Sequence, residues 1–182
     1  DFNLIIVNDG STDQSKKLMD EAIKDYDKNI RFIDLDENSG HAHARNIALE
    51  EVETPYFMFL DADDELASYA ITFYLEKFNN TDGLIAPIHS FTTQRPQFVD
   101  LDRVRVEYFN AKGNINSFLR KQSACNIIFR TAIVRAHHIR FNENLNTYVD
   151  WSFVLEYMKY VNKFVRIFNF PFYFRGEVYD PF

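Results

Sequence analysis

Short apolar runs alternate with amphipathic stretches through the first 92 residues of the chain. Leu4 to Val7 is apolar and leads into the turn-forming cluster Asn8 to Asp13. Beyond it, Leu18, Ala22, Ile23 and Tyr26 fall on one face at helical spacing, which predicts a helix capped by Ser11, Thr12 or Asp13. Ile30 to Leu35 reads as a second strand and Asp36 to Gly40 as a loop, followed by a helix over His41 to Glu51 with Ala44, Ile47 and Ala48 inward. The apolar run Tyr56 to Leu60 stops abruptly at Asp61, Ala62, Asp63 and Asp64; Leu66 to Phe78 then predicts a helix and Gly83 to Phe91 a strand. Such alternation builds βαβ units, so the expected fold is α/β, a mostly parallel sheet flanked by helices. In open α/β sheets ligands collect outside the carboxyl ends of strands, where this pattern places Asp9 and the Asp61 to Asp64 turn.

After residue 92 the pattern loosens into a polar stretch, Thr92 to Gln97, a short helix near Ile115 to Lys121 and an apolar strand, Asn126 to Phe129. A helix from Asp150 to Tyr160 and an aromatic run from Phe164 to Phe174 follow. No internal repeat separates the halves, so residues 93–182 read as a substrate-facing extension of one domain. With 182 residues the chain can bury about 70% of its unfolded surface. A hydrophobic fraction of 46%, rich in Phe and Tyr, fills such a core without disulfides. Cys125 is the only cysteine, which excludes a disulfide framework and a cysteine-rich zinc site and reads as a small buried hydrophobe. No run approaches the length of a membrane span, and the expectation is a cytoplasmic chain.

Charge changes the picture in one respect. The formal total of −7 conceals segments of −12 (residues 1–90), +6 (91–140) and −1 (141–182). An acidic total argues against a duplex nucleic-acid partner. The basic middle segment suits a smaller anionic partner, or is an ordinary solvated face.

Two polar clusters carry candidate chemistry. Asp61 and Asp63 on a short turn suit a hard cation, Mn²⁺ or Mg²⁺, which prefers oxygen ligands and is commonly shared between carboxylates and substrate phosphates. Taken alone, an acidic turn at a strand end is more often simply solvated. In the cluster Asn8 to Asp13, Asp9 could accept hydrogen bonds from a base or ribose; equally, the cluster is a turn with a helix cap. It contains neither the glycine pattern of dinucleotide sites nor a phosphate-cradling loop. His41 with His43, and His137 with His138, have no spacing that points two rings to one metal, so no histidine is assigned as a ligand. His89 is kept as a candidate for an acceptor site.

The ordered set Leu4 to Ser15, Asn38-Ser39-Gly40 leading to Ala44-Arg45-Asn46, and Phe59 to Asp64 resembles family 2 inverting glycosyltransferases of the GT-A fold. Tyr148-Val149-Asp150-Trp151 and Tyr173-Phe174-Arg175 are similar to two later motifs of that family. Within it, the chain looks most like bacterial enzymes that attach N-acetylglucosamine to the poly(ribitol phosphate) of wall teichoic acid. The resemblance implies a UDP-sugar donor, with Asp9 at uracil or ribose, Arg45 against the nucleotide and its diphosphate, and Asp61 at the nucleotide sugar. It also implies Asp63 as the main metal ligand, with Asp64 nearby on the nucleotide-sugar side. Asp150 takes the place of the catalytic base, required because inversion by single displacement needs a carboxylate to receive the acceptor's proton. A helix cap is its structural alternative. The family usually has Glu-Asp where this chain has Val149-Asp150. Trp151 reads first as core and second as a sugar platform. Arg175 is expected at a diphosphate or anionic acceptor, or as an exposed strand-end arginine.

By that resemblance residues 1–92 form the nucleotide-sugar-binding half and 93–182 the acceptor-binding half of a catalytic-domain fragment lacking the fold's first strand. A stretch so cut is expected to fold poorly or bind nucleotide weakly by itself. The implied acceptor is an anionic polymer or glycan, for which Arg95, Arg103, Arg105, Arg120 and Lys121 could hold phosphates. Placement at the inner face of the cell membrane and homo-oligomerisation through a C-terminal region would accompany that role. A sugar-phosphate nucleotidyltransferase and a noncatalytic sugar-nucleotide-binding module are the competing readings. The first lacks its glycine-rich basic loop here, and retention of Asp9, Asp61, Asp63 and Asp150 speaks against the second.

Overall fold

The computed structural model describes residues 2–24, 29–78, 80–90, 100–110, 123–169 and 172–176. In chain order these form β1 (Leu4–Asn8), α1 (Ser15–Ile23), β2 (Ile30–Asp34), α2 (His41–Glu51), β3 (Tyr56–Phe57), β4 (Glu65–Leu66), α3 (Ala70–Phe78), β5 (Gly83–Ile85), β6 (Ile88–Ser90) and β7 (Val106–Asn110). β8 (Ile127–Arg130), α4 (Thr131–Ala136), α5 (Val149–Met158), β9 (Lys163–Ile167) and β10 (Tyr173–Arg175) follow, with 3₁₀ turns at Leu101–Arg103 and Ala124–Asn126. The expected helix at Ile115 to Lys121 lies outside the described residues, as do Arg95, Arg120 and Lys121.

The strands form a pair, β1-β2, a three-stranded sheet, β4-β10-β6, and a five-stranded sheet, β3-β8-β5-β9-β7. The α/β class holds, but the pairing is mixed where a mostly parallel sheet was expected. β1-β2, β5-β9 and β10-β6 are parallel, whereas β3-β8, β5-β8, β7-β9 and β10-β4 are antiparallel. A parallel neighbour needs a long crossover, usually a helix. That alternation ends near residue 90, and β7 and β8 from the later segment enter the sheet reversed. β8 lies between β3 and β5, so both halves of the chain share one sheet.

Residue alternation along β5, β8 and β9 divides the core between the two faces of this sheet. Ile85, Ile127, Phe129 and Phe164 point toward α5 and α2, with Phe153, Tyr157 and Phe141. Leu84, Ile128 and Val165 point the other way, against Phe73, Tyr74 and Phe78 of α3 and against Phe172. Phe129, fully buried, has ring neighbours in Phe57 at 5.3 Å, Phe153 at 5.3 Å and Tyr157 at 4.9 Å.

Three helix expectations shift for identifiable reasons. The half-buried stripe of α1 is Ser15, Met19 and Ile23, one position round from the expected seam, and Leu18 is 59% exposed. Its cap is Gln14, without a side-chain cap hydrogen bond, where Ser11, Thr12 or Asp13 was expected; Asp13, one residue earlier, accepts from the Ser15 N–H at 2.9 Å. In α2 the buried residues are Ala42, Asn46 and Leu49, because Asn46 uses both ends of its amide on the chain at Phe141. Apolar periodicity cannot register a buried asparagine. α3 begins at Ala70, since Glu65 and Leu66 pair instead with β10. Among the described residues no helix is long and apolar enough to cross a membrane.

Phe129→Ala should lower stability by about 3–5 kcal/mol, the usual cost of emptying a buried aromatic site, measured as a reduced urea midpoint with unchanged slope.

Candidate active site

β1 ends at the buried Asn8, whose amide donates to Asp34 at 2.7 Å. The next two residues turn the chain onto the loop before α2. Gly10 has φ +63° and lies so close to that loop that a Cβ would come within 2.4 Å of the Glu37 carbonyl carbon. Only glycine fits both conditions. Asp9 is thereby fixed with its two oxygens accepting from the Ser39 N–H at 2.8 Å and the Gly40 N–H at 2.9 Å. Its carboxylate clasps the N-terminal end of α2, and Arg45 lies five residues further along that helix, about 7–8 Å by helical rise.

Arg45 joins acidic groups far apart in the chain. Its Nη1 donates to Asp150 Oδ1, and its Nη2 donates to Asp61 Oδ1 at 2.6 Å and to the Cys125 sulfur at 3.6 Å. The guanidinium lies 5.7 Å from the Phe59 ring centre and 5.3 Å from that of Phe141. Burial disfavours its charge, but the fields of Asp150 and Asp61 more than compensate and hold it firmly protonated. Cys125 is buried as its apolar neighbours predict, and burial pushes its thiol up to about 12, with Asp61 adding to the shift.

Asp150 is the second residue of α5. The helix cap is Tyr148, at φ +59°, so the alternative of Asp150 as cap does not hold. Instead its Oδ2 accepts from the Ser123 hydroxyl at 2.9 Å and the Ala124 N–H at 3.0 Å. Burial would raise this carboxyl, but the Arg45 charge and these hydrogen bonds outweigh it and keep Asp150 below the usual carboxylate range.

The acidic turn after β3 is held from the other side by β10. Tyr173 donates its hydroxyl to Asp64 and accepts from the Asp61 N–H at 3.3 Å. Gly176 donates its N–H to the other Asp64 oxygen at 2.7 Å, and a Cβ there would fall 2.0 Å from the Asp63 carbonyl oxygen. Asp64 is thus engaged by the β10 end. Asp63 is exposed, with no side-chain partner among the described residues. No group of three His, Cys, Asp or Glu side chains gathers there among the described residues. One free carboxylate fits a cation that takes its remaining oxygens from substrate phosphate and water.

A cavity of about 440 Å³ opens beside Asp150, lined by His41, Ile88, Ser123, Tyr148, Trp151 and Arg175 among others. Its size is that of a small-molecule pocket. Arg175 is exposed on it and has no carboxylate partner among the described residues. A shallower cavity of about 450 Å³, on the other side of α2, contains Arg140 and Glu50 already paired with each other and none of these aspartates. Trp151 has its indole N–H buried without a partner. His43 pairs with Glu143, while the backbone of His89 on β6 pairs with Phe174 of β10. Arg103 and Arg105 are exposed and matched by Asp100 and Glu107.

The structure therefore joins Arg45, Asp61 and Asp150 directly, ties Asp64 to the turn carrying Asp63, and connects Asp9 to the group through α2. Ser123 and Ala124 were not read from the sequence, His41 was weighed only as a metal ligand, and Tyr148 and Tyr173 only as members of the two later motifs. Ser123, Ala124 and Tyr173 belong to the site through contacts distant in the chain, and Tyr148 caps α5 with a positive φ that the sequence does not show.

The model of the family described as "Glycosyl transferase family 2" matches residues 1–141. The chain belongs to glycosyl transferase family 2. It is 30% identical over 164 residues to the poly(ribitol-phosphate) beta-N-acetylglucosaminyltransferase TarP of Staphylococcus aureus, covering 87% of this chain and 48% of that protein. It is 42% identical over 67 residues to an uncharacterized glycosyltransferase of Haemophilus influenzae, covering 37% and 26%. Among solved structures, S. aureus TarS 1-349 superposes with a TM-score of 0.76 at 23% identity over 96% of this chain and 51% of that one. TarS 1-349 in complex with UDP-GlcNAc gives 0.75 at 22%, over 95% and 49%. The chain thus spans about half the length of these staphylococcal proteins and less of the Haemophilus one. The GT-A fold is shared.

A carboxyl held below its ordinary value stabilises the folded state above that value, and the contribution is lost as pH falls through the folded one. Acidification should therefore cost the wild type more thermal stability than Asp150→Asn, compared as melting temperature against pH through the carboxylate range.

Proposed function

We propose that this family 2 chain is the catalytic part of an inverting glycosyltransferase. It moves a sugar from a UDP-sugar to a hydroxyl of an anionic cell-wall or surface polymer. N-acetylglucosamine and poly(ribitol phosphate) are the first donor sugar and acceptor to test, given what TarP is named for and the sugar nucleotide bound to TarS. The observation that carries the reading is an ionised Asp150 at the wall of the 440 Å³ cavity, with Arg175 on the same wall and Asp63 free on the neighbouring turn.

In this reading the Asp9 loop and the loop before α2 form the nucleoside end of the site. Arg175 faces phosphate of the donor or acceptor. Asp150 accepts the proton of the acceptor hydroxyl as its oxygen attacks the anomeric carbon from the side opposite the leaving UDP, giving inversion. The Ser123 and Ala124 donors hold one Asp150 oxygen, and the other, which accepts from Arg45, keeps a second lone pair for the proton. Asp63 would hold Mn²⁺ or Mg²⁺, which when bound would supply positive charge against the negative charge building on the diphosphate. Tyr173 and Gly176 hold the adjacent Asp64 and so the turn that carries Asp63.

The test uses the intact protein with UDP-N-acetylglucosamine and a ribitol phosphate polymer, scored by UDP release and by the anomeric configuration of the product. Asp150→Asn should reduce transfer about 100- to 10,000-fold while UDP binding persists. Asp63→Asn should weaken Mn²⁺ binding measured directly by paramagnetic resonance. Donor binding by the wild type without transfer to any acceptor would leave the noncatalytic reading.

A further inference from the structure

We propose that Arg45 is a positioning residue: its guanidinium, shared between Asp61 and Asp150, fixes the base against the acidic turn and does not hold the donor's diphosphate. The inference rests on the assignment of Asp150 as base. It departs from the role that the motif resemblance implies for this arginine.

Three observations carry it. Both terminal nitrogens of Arg45 are already used, one by Asp150 and the other by Asp61 and the Cys125 sulfur. The guanidinium is boxed in: the Arg45 side chain is only 13% exposed, between Phe59 and Phe141, and Phe141 is stacked on Phe153 of α5 at 4.1 Å. Swinging it toward a ligand would open the aromatic core and leave two partly buried carboxylates without their cation. Finally, the cavity has another cation for a phosphate in Arg175, which has no carboxylate partner among the described residues.

The arrangement does mechanical and electrostatic work together. Asp61 belongs to the turn that carries Asp63, whereas Asp150 belongs to α5, 105 residues from Arg45 in sequence. A planar guanidinium bridging them sets the distance between the two sides of the site, which a flexible ammonium would do less well. The charged and titratable groups around Asp150 are Arg45 from α2, Asp61 from the turn after β3, Cys125 from the 3₁₀ turn, and His41 and Arg175 on the cavity wall. Arg45 is the charge in direct contact, so its removal should raise the proton affinity of the base.

The experiment compares wild type, Arg45→Lys, Arg45→Ala and Asp150→Asn in the intact protein. UDP affinity is measured by calorimetry, and the pH dependence of kcat/KM by UDP release. The expected result is a kcat lowered about 100-fold in Arg45→Ala, partly recovered in Arg45→Lys, with UDP Kd within about twofold of wild type. The acid limb of the profile should move to higher pH in both Arg45 variants. The fluorescence of Trp151, the single tryptophan of the 182 residues and the neighbour of Asp150, should titrate in the same direction without turnover. A UDP affinity reduced about tenfold or more, with the acid limb unmoved, would make Arg45 a donor ligand and overturn the proposal. If Arg45→Ala does not fold, the lysine variant alone decides by the same two readouts. Full transfer by Asp150→Asn would instead remove the base assignment, a failure recognisable because it involves no Arg45 variant.

Discussion

A buried cation is stable only where opposite charges and hydrogen-bond acceptors surround it, and Arg45 meets that condition with two carboxylates, a thiol and two aromatic faces. The site is arranged around this constraint. Arg45 sits one turn into α2, Asp61 follows β3, and Asp150 opens α5, so its guanidinium is where three parts of the fold meet. Phe59 and Phe141, which flank it, also pack with Phe153, and Phe59 and Phe153 in turn pack on Phe129 in the middle of the sheet. The aromatic core thereby fixes the plane of the charged group, and the charged group fixes the carboxylates. Packing and chemistry are continuous here.

Four aspartates that look alike in sequence carry different loads. Asp9 spends both oxygens on backbone N–H groups of the loop before α2, Asp61 neutralises Arg45, and Asp64 ties the turn to Tyr173 and Gly176. Asp63 alone is left without a side-chain partner among the described residues. The three engaged carboxylates shape the loops, which is why the remaining one projects from a defined turn. Close approach of the Gly176 backbone to Asp63 makes β10, late in the chain, part of the support for a turn that precedes it by more than a hundred residues.

Membership of family 2 rests on residues 1–141, whereas α5, β9 and β10 lie beyond that span. Asp150, Trp151 and Arg175 therefore lie beyond the matched span, in a part of the chain that packs into the same sheet and lines the cavity. Fold and family do not specify an acceptor, because specificity belongs to the side chains and loops around the site.

The alternation of apolar runs and amphipathic stretches determined the α/β class, the strand end that bears Asp9, and the existence of α2 and α5. Those features depend on local periodicity and turn chemistry, which a sequence displays directly. The direction of β7 and β8, the rotation of α2 about Asn46, and the late start of α3 depended on partners elsewhere in the chain. So did the meeting of Arg45 with Asp150 and the support that Ser123, Ala124 and Tyr173 give to the carboxylates. A hydrogen bond or ion pair between residues a hundred positions apart leaves no local trace in either, because its energy exists only once the sheet has brought the two together.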